Sequence, residues 1–595
     1  MDRSNIDKKY LWDLEVIYDN TESFMKDFNE VKDMVNEISK YENTMLNSAK
    51  EFYETINYYY MVTRKLEKLY SYANLLFDSD TSINENQSLR GKVSNLYAEL
   101  SNKAYFITPN ILKLSWEEIE KFIKEEPKLK EYEKMLRDEF RFKEHTLSDN
   151  EEKLLSSLHK MMGNNYDTYE LFKDCDLTFG DITDEEGNSV KLDNSNYSLY
   201  IESRDRRVRK ETFEVLYKTY SEFKNTFASL ISNNINEEVS ISKVRKYNSA
   251  IEASLFQDEI PLSVYDNLIN SVSDGLDVLY KYYDIKRKVL EVDELHLYDV
   301  YVSMTKEYNK KYKFAEAVDI VRKALSVLGE EYINIYNNGI KDRWIDVYPT
   351  RNKRTGGYSS GCYDTYPYVL LNYQDKYNDM STLAHEMGHS IHSYYARHNN
   401  SYVYGDYSIF VAEVASTVNE LLLAKYMIKN SSSKEEKLYI INKLLELFRA
   451  TIYRQTMFAE FEKEIYSLVE NDEILTADLL DKKYYELNEK YFGNNVVIDK
   501  EIMYEWERIP HFYYNFYVYK YATGLSCACM IVNNILSSKK DAVSNYINFL
   551  KCGRTKNPID SLKVAGVDIT KKEVINSAID MFSELIDEFS SLYFE

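Results

Sequence analysis

The chain is short of the residues that break helices. It has 16 glycines and 7 prolines among 595 residues, against usual shares of roughly 7% and 5%. That scarcity excludes collagen-like and Pro/Gly-rich disordered classes, and it predicts long helices with few tight turns. Cysteine is sparse too. Cys175, Cys362, Cys527, Cys529 and Cys552 are an odd five, and Cys527-Ala-Cys529 is not a CxxC pair, so the thiols are expected to be reduced. No apolar run approaches the roughly 18 residues of a membrane-spanning helix. The N-terminal stretch MDRSNIDKKYLWDLEVIYDN lacks the apolar core of a secretory leader. Together these absences predict a cytoplasmic protein. Positive charge is outnumbered: Asp and Glu total 98 against 75 Lys and Arg, a net charge of −23. Such a chain repels phosphate backbones and anionic membrane surfaces, so neither nucleic acid nor membrane is expected as a partner.

What is present is mostly helical pattern. From 20 to about 175 the sequence reads as successive amphipathic helices. Between Glu51 and Leu76, for example, Phe52, Ile56, Tyr59, Tyr60, Val62, Leu66 and Leu69 recur at helical spacing. LTFGDI and SVKL then flank Asp184-Glu185-Glu186-Gly187-Asn188, a hairpin signal. Helical periodicity returns over 204–345. Residues 351–373, with Gly356, Gly357 and Gly361 followed by Tyr366, Tyr368, Val369, Leu370 and Leu371, read as loop and strand. The remainder is helical. The expected division is an N-terminal helical lobe over 1–200, ending in the hairpin-like segment, and a catalytic region over 201–595.

Four of the eight histidines lie between 385 and 398. His385-Glu386-Met387-Gly388-His389 is an HExxH pattern. On a helix, residues i and i+4 share a face, so both imidazoles reach one cation, while Glu386 points toward a water on that cation. Chance gives about one such pattern per hundred chains of this length, so context must decide. STLAHEMGHSIHSYY supplies a helix, with Ser381 as its expected cap and Leu383, Ala384, Met387 and Ile391 as an apolar face. A catalytic zinc needs a third protein ligand and an open position. The metzincin pattern requires Gly at 392 and His at 395; the chain has His392 and Tyr395. The alternative is a glutamate on a later helix. Glu413 sits in the apolar stretch FVAEVA, where an unpaired carboxylate is costly, and Glu420 follows two turns on. Glu413 is therefore assigned as ligand and Glu420 as the partner of a ligating histidine. His392 is read as supporting structure.

Hydrolysis at such a site needs donors for the oxyanion. The stretch from Arg508 to Gly524 holds His511, the only histidine after His398, and five tyrosines within residues 511–521. Two readings stay open for these residues alone: donors to developing negative charge, or a tyrosine stripe packed in a core.

The chain resembles the oligoendopeptidase F family of zinc metallopeptidases, related to thimet oligopeptidase and neurolysin. TLAHEMGHSIH (382–392), FVAEVASTVNE (410–420), RIPHFYYNFYVYKYATG (508–524) and KRTGGYSSG (353–361) carry the resemblance. It implies a mainly α fold of two helical lobes enclosing a deep substrate channel, with a small β-sheet region beside the zinc site. It implies one zinc per chain on His385, His389 and Glu413, and Glu386 as general base. It also implies that His511, Tyr514, Tyr517 and Tyr521 contact the substrate carbonyl, and that Gly356, Gly357 and Tyr358 belong to a strand lying beside the substrate. Where relatives of the thimet type carry a tyrosine, this chain has Gly524. The implied reaction is hydrolysis of internal bonds in short to medium oligopeptides by a zinc-bound water. Two rivals are a carboxy-terminal dipeptidase on the same scaffold and a non-catalytic helical scaffold with structural zinc; the intact Glu386 speaks against the second.

Overall fold

The computed structural model describes residues 2–595 apart from Ser432, and the side chains of all of these but His159, Lys160 and Met161. Helix accounts for 71% of the chain and strand for 3%, as the scarcity of glycine and proline predicts. The chain forms two compact units, each assembled from three stretches: Met1–Glu144, Asn309–Tyr426 and Asn534–Gly566 in the first, and His145–Tyr308, Met427–Asn533 and Val567–Glu595 in the second.

In the first unit, helices Thr21–Glu37, Ala49–Ser79 and Asn84–Lys103 pack on one another. The second of these starts where the Ser48 side chain accepts from the Glu51 N–H. Its Phe52, Ile56, Val62, Leu66 and Leu69 are buried, as their spacing predicts, while Tyr59 and Tyr60 are only half-buried. This core continues onto a small sheet. The sheet's strands are β3 (Ile345–Asp346), β4 (Tyr358–Ser360) and β5 (Tyr368–Leu370); β1 and β2 are described with the second unit. β5 is central, parallel to β3 and antiparallel to β4. Being covered on both faces, it reads Tyr-Val-Leu without alternation. Lys353 anchors the loop before β4. Its buried ammonium meets Asp346 Oδ1 at 2.7 Å, and it donates to the carbonyls of Leu371 and Tyr348 at 2.5 and 2.8 Å. A buried cation is tolerated only when it is paired and bonded in this way.

In the second unit, the predicted hairpin is present as β1 (Asp181–Thr183) and β2 (Ser189–Lys191). Asp184 Oδ1 accepts from the N–H groups of Glu186 and Asn188, and Gly187 takes a φ of +88°. The rest is helical. A buried carboxylate, Glu505, ties the unit together: it accepts from Arg454 at 2.8 Å, Tyr484 at 2.6 Å and Tyr217 at 3.1 Å. His145 stacks on Tyr247 and His296 bonds Asp499, both structural contacts; the side chain of His159 lies outside the described residues. The five cysteines are free. No described helix is long and apolar enough to cross a membrane.

Candidate active site

The HExxH residues lie on the helix Tyr377–Asn399 of the first unit. It begins four residues before Ser381. Asp379 accepts from the N–H groups of Gln374 and Lys376 and so caps the first turn. Ser381 is therefore not the cap; its hydroxyl donates to Glu420 Oε1 at 3.0 Å. Met380, Leu383, Ala384, Met387 and Ile391 form a wholly buried face. That leaves His385 and His389 on the opposite, partly exposed side.

The helix Ile409–Asn430 brings up the carboxylates. Glu413 Oε2 lies 3.4 Å from His385 Nε2 and 3.5 Å from His389 Nε2. Donors about 2.0–2.1 Å from one tetrahedral zinc stand about 3.3–3.4 Å apart, so two imidazoles and a carboxylate at these separations fit such an ion. Among the described residues this is the one group of three His, Cys, Asp or Glu whose ligand atoms come within 4.8 Å of one another. His385 Nδ1 donates to Glu420 Oε2 at 2.9 Å, which turns Nε2 toward Glu413. Sequence neighbours suggest an apolar setting for Glu413, but its side chain is 51% exposed. Val411, Val414 and Ala415 take the buried side of the helix, and the helical period turns Glu413 away from them.

The electrostatics follow from this geometry. Burial alone lowers the His385 pKa, but the hydrogen bonds to Glu413 and Glu420 outweigh it and raise the value to about 10. Hydrogen bonds from His385 and His389 hold Glu413 well below the usual carboxylate range. A cation held by both Nε2 atoms would have to displace the His385 proton, so its binding would strengthen as pH rises. Glu386 is buried, 7% exposed. Burial pushes its pKa up; His385 and His389 pull it down without cancelling that rise. Gly357 lies beside it: a Cβ there would stand 3.0 Å from Thr382 Cγ2 and 3.7 Å from Glu386 Oε1. Gly356 takes a φ of +85°. Gly357 thus sets bare backbone against Glu386. Tyr358 donates to Asp78 at 2.7 Å. His392 is buried, stacked on Tyr407 at 3.7 Å, and burial lowers its pKa to about 3. It is a neutral core histidine.

In the second unit, the tyrosine stripe splits into two sets. Phe512, Tyr513, Phe516, Val518 and Tyr519 are buried; His511, Tyr514, Tyr517 and Tyr521 are not. These four rings form a circuit, with centroids 5.5 Å apart for His511–Tyr514, 6.4 Å for Tyr514–Tyr517, 5.5 Å for Tyr517–Tyr521 and 5.8 Å for His511–Tyr521. His511 Nε2 and the Tyr521 hydroxyl are hydrogen-bonded at 3.2 Å, and burial lowers the His511 pKa. The α-helix starts only at Tyr519. Before it, Asn515 and Phe516 both have positive φ, 49° and 61°, a corner that costs about 1–3 kcal/mol per residue. Phe516 N–H donates to buried Glu462 at 2.6 Å. Asn515 Oδ1 accepts from Tyr466 at 2.6 Å and Asn234 at 3.1 Å. The corner turns Phe516 inward and leaves Tyr514 and Tyr517 outside.

The family model of peptidase family M3 matches residues 199–581, more than half of the chain. The chain belongs to peptidase family M3. A second family model, Oligopeptidase F, matches 110–179. Oligopeptidase PepF of Bacillus subtilis (strain 168) is 44% identical over 591 residues, which are 99% of this chain and 88% of that protein. Group B oligopeptidase PepB of Streptococcus agalactiae is 36% identical, with 99% and 98% covered. The crystal structure of oligoendopeptidase-F from Enterococcus faecium superposes with a TM-score of 0.74 at 34% identity, covering 96% of this chain and 99% of that one.

Sequence reasoning missed the residues that let the two helices of this M3 site meet. Gly388, inside the motif, is one. A Cβ there would stand 2.6 Å from Ser416 Cα and 2.7 Å from the Ala415 carbonyl oxygen. A glycine mid-helix, in a chain with so few, was the available signal. Asn419 is another. Buried, it donates to the Ala384 carbonyl at 3.0 Å and accepts from Tyr332 at 2.8 Å. Gly388→Ala should cost about 1–3 kcal/mol, as overpacking does, and should weaken metal binding by moving Glu413 off the histidines. Thermal unfolding and metal content of the purified variant check this; wild-type values for both would mean that the contact is slack.

Proposed function

We propose that His385, His389 and Glu413 hold one zinc ion per chain, and that Glu386 is the general base in hydrolysis of internal peptide bonds of short to medium oligopeptides. The observation that carries the reading is the convergence of both Nε2 atoms on one Glu413 oxygen, with the buried Glu386 next to His385. Zinc, when bound, supplies Lewis acidity toward the peptide carbonyl and toward water. Glu386 takes a proton from the attacking water and hands it to the leaving amine. Its raised pKa brings it nearer the working range of a base that must also act as an acid. Glu420 keeps the ligating nitrogen of His385 pointed inward. The backbone of Gly356, Gly357 and Tyr358, where edge strand β4 begins, pairs with the substrate main chain. His511, Tyr514, Tyr517 and Tyr521 donate to the carbonyl oxygen as it gains charge; their exposure, their mutual contacts and the family resemblance support that role.

Mass spectrometry of a ten-residue peptide digested by the enzyme, free and C-terminally amidated, tests the function. Cuts at internal bonds in both forms are expected. Release of C-terminal dipeptides from the free form alone would instead make the chain a dipeptidase.

Glu420→Gln should keep the fold and lower zinc affinity about ten- to hundred-fold, read by competition with a chelator. An unchanged affinity would remove Glu420 from the account. Tyr517→Phe removes one hydroxyl and keeps the ring. Loss of one oxyanion donor costs about 10²- to 10³-fold, so kcat should fall at least about tenfold with KM nearly unchanged and zinc retained. Near-wild-type kcat in Tyr517→Phe, Tyr514→Phe and His511→Ala together would return the four rings to a packing role.

A further inference from the structure

The edge strand that begins at the catalytic base runs on to a cavity. Gly357 lies against Glu386, and Ser360 and Gly361, at the far end of β4, line a cavity of about 470 Å³ within the first unit. A strand advances about 3.3 Å per residue, so a peptide paired along β4 reaches this cavity about three to four residues from its reacting bond.

The chemistry of the lining is specific. Two half-buried carboxylates border the cavity, Glu67 from the helix Ala49–Ser79 and Glu139 from the helix Glu133–Phe140. Glu139 accepts from Thr108 at 3.3 Å and Glu67 is hydrogen-bonded by Tyr402, but neither has an ion-pair partner among the described residues. Burial raises the pKa of both, and the pull of Arg397 on Glu67 offsets only part of that. Two guanidinium groups and a third carboxylate, Asp406, share the cavity, so its acidic groups outnumber its basic ones by three to two, and Arg397 keeps one buried nitrogen without a hydrogen-bond partner. Arg397 donates to the Gly361 carbonyl at 3.0 Å, and Arg554 stands 3.7 Å from Asp406. Rings of Tyr59, Tyr60 and Tyr402 complete the wall. Carboxylates without a counter-ion beside aromatic rings favour a cation, through charge and through the ring faces.

We propose that this cavity binds a cationic nitrogen group of the substrate, either the peptide's terminal ammonium or a lysine or arginine side chain, about three to four residues from the cleaved bond. Such a pocket sets the distance from charge to cut, and so makes the enzyme select oligopeptides by where their positive charge lies. The proposal rests on the functional reading above.

The test uses ten-residue peptides that differ only in cationic groups: free or acetylated at the N-terminus, and carrying lysine or norleucine three and four residues from the cut. Calorimetry gives their Kd for the full-length, zinc-loaded Glu386→Gln protein, and wild-type turnover gives KM. Removing the recognised cation should weaken binding and raise KM at least about tenfold with little change in kcat. An effect of acetylation alone identifies the terminal ammonium; an effect of norleucine alone identifies a side chain. Glu67→Gln and Glu139→Gln, with thermal unfolding as a check on folding, should bind all the peptides as weakly as wild type binds the uncharged one. Equal Kd for every peptide would overturn the proposal, as would a preference that survives in both variants. The Kd pattern does not need turnover, so an inactive wild-type enzyme would count against the functional reading and leave this result to stand or fall on binding.

Discussion

Replacing Glu386 with glutamine should leave zinc bound and the fold intact while removing nearly all turnover. The proposed ligands His385, His389 and Glu413 are untouched, and glutamine matches glutamate in size, so neither the proposed metal site nor the packing against Gly357 changes. What disappears is the proposed proton acceptor. General-base catalysis contributes about 10²- to 10⁴-fold, and a fall of that order in kcat, with metal content unchanged, is expected. The pH profile adds a second reading. A protonated Glu386 accepts nothing, so wild-type kcat/KM should decline as pH falls through its pKa. Burial sets that pKa above the ordinary carboxylate value, and the residual activity of the variant should lack this limb. Activity above a few per cent in the zinc-loaded variant would exclude the general-base role.

Replacing Glu413 with alanine should act one step earlier, on the metal itself. Two imidazoles four residues apart leave a catalytic zinc one protein ligand short. The carboxylate to be lost is the group that lies 3.4 and 3.5 Å from the two Nε2 atoms. Bound zinc should fall from about one per chain to well below that, and activity should fall with it. Because the side chain is half exposed, its removal opens no core cavity, so the metal-free variant should stay folded, with a melting temperature lowered only by the loss of the His385 and His389 contacts. Full zinc occupancy in Glu413→Ala would mean that the third ligand is another residue. The two substitutions separate cleanly: one enzyme keeps its metal and is inert, the other is inert because it has lost it.

The parts of this site legible in the sequence are those fixed by local periodicity. His385 and His389 share a face because they are one helical turn apart. The burial of Leu383, Ala384, Met387 and Ile391 follows from the same period. The hairpin at 181–191 was legible because Asp184 and Gly187 impose its turn. Contacts between distant segments were not. Nothing local says that Gly388 must lie against the backbone of Ser416, that Asn419 must bridge to Ala384, or that Lys353 must be buried on Asp346. The two-residue strand Ile345–Asp346 gains its definition only from parallel pairing with β5, and Ser381 reads as a cap because the true helix start at Tyr377, closed by Asp379, comes without an apolar run. In the tyrosine-rich segment, composition could not separate packed rings from exposed ones. The positive-φ corner at Asn515 and Phe516 makes that division, and neither residue is a glycine that would have announced it.

The central claim is that one metal, held by His385, His389 and Glu413, is needed for hydrolysis. The most direct measurement is to strip the wild-type chain with a chelator, remove the chelator, and follow cleavage of a ten-residue peptide while zinc is added back. The account predicts no cleavage in the stripped protein and a linear return of activity that levels off at about one equivalent per chain. Full activity in protein shown to be free of metal would contradict it.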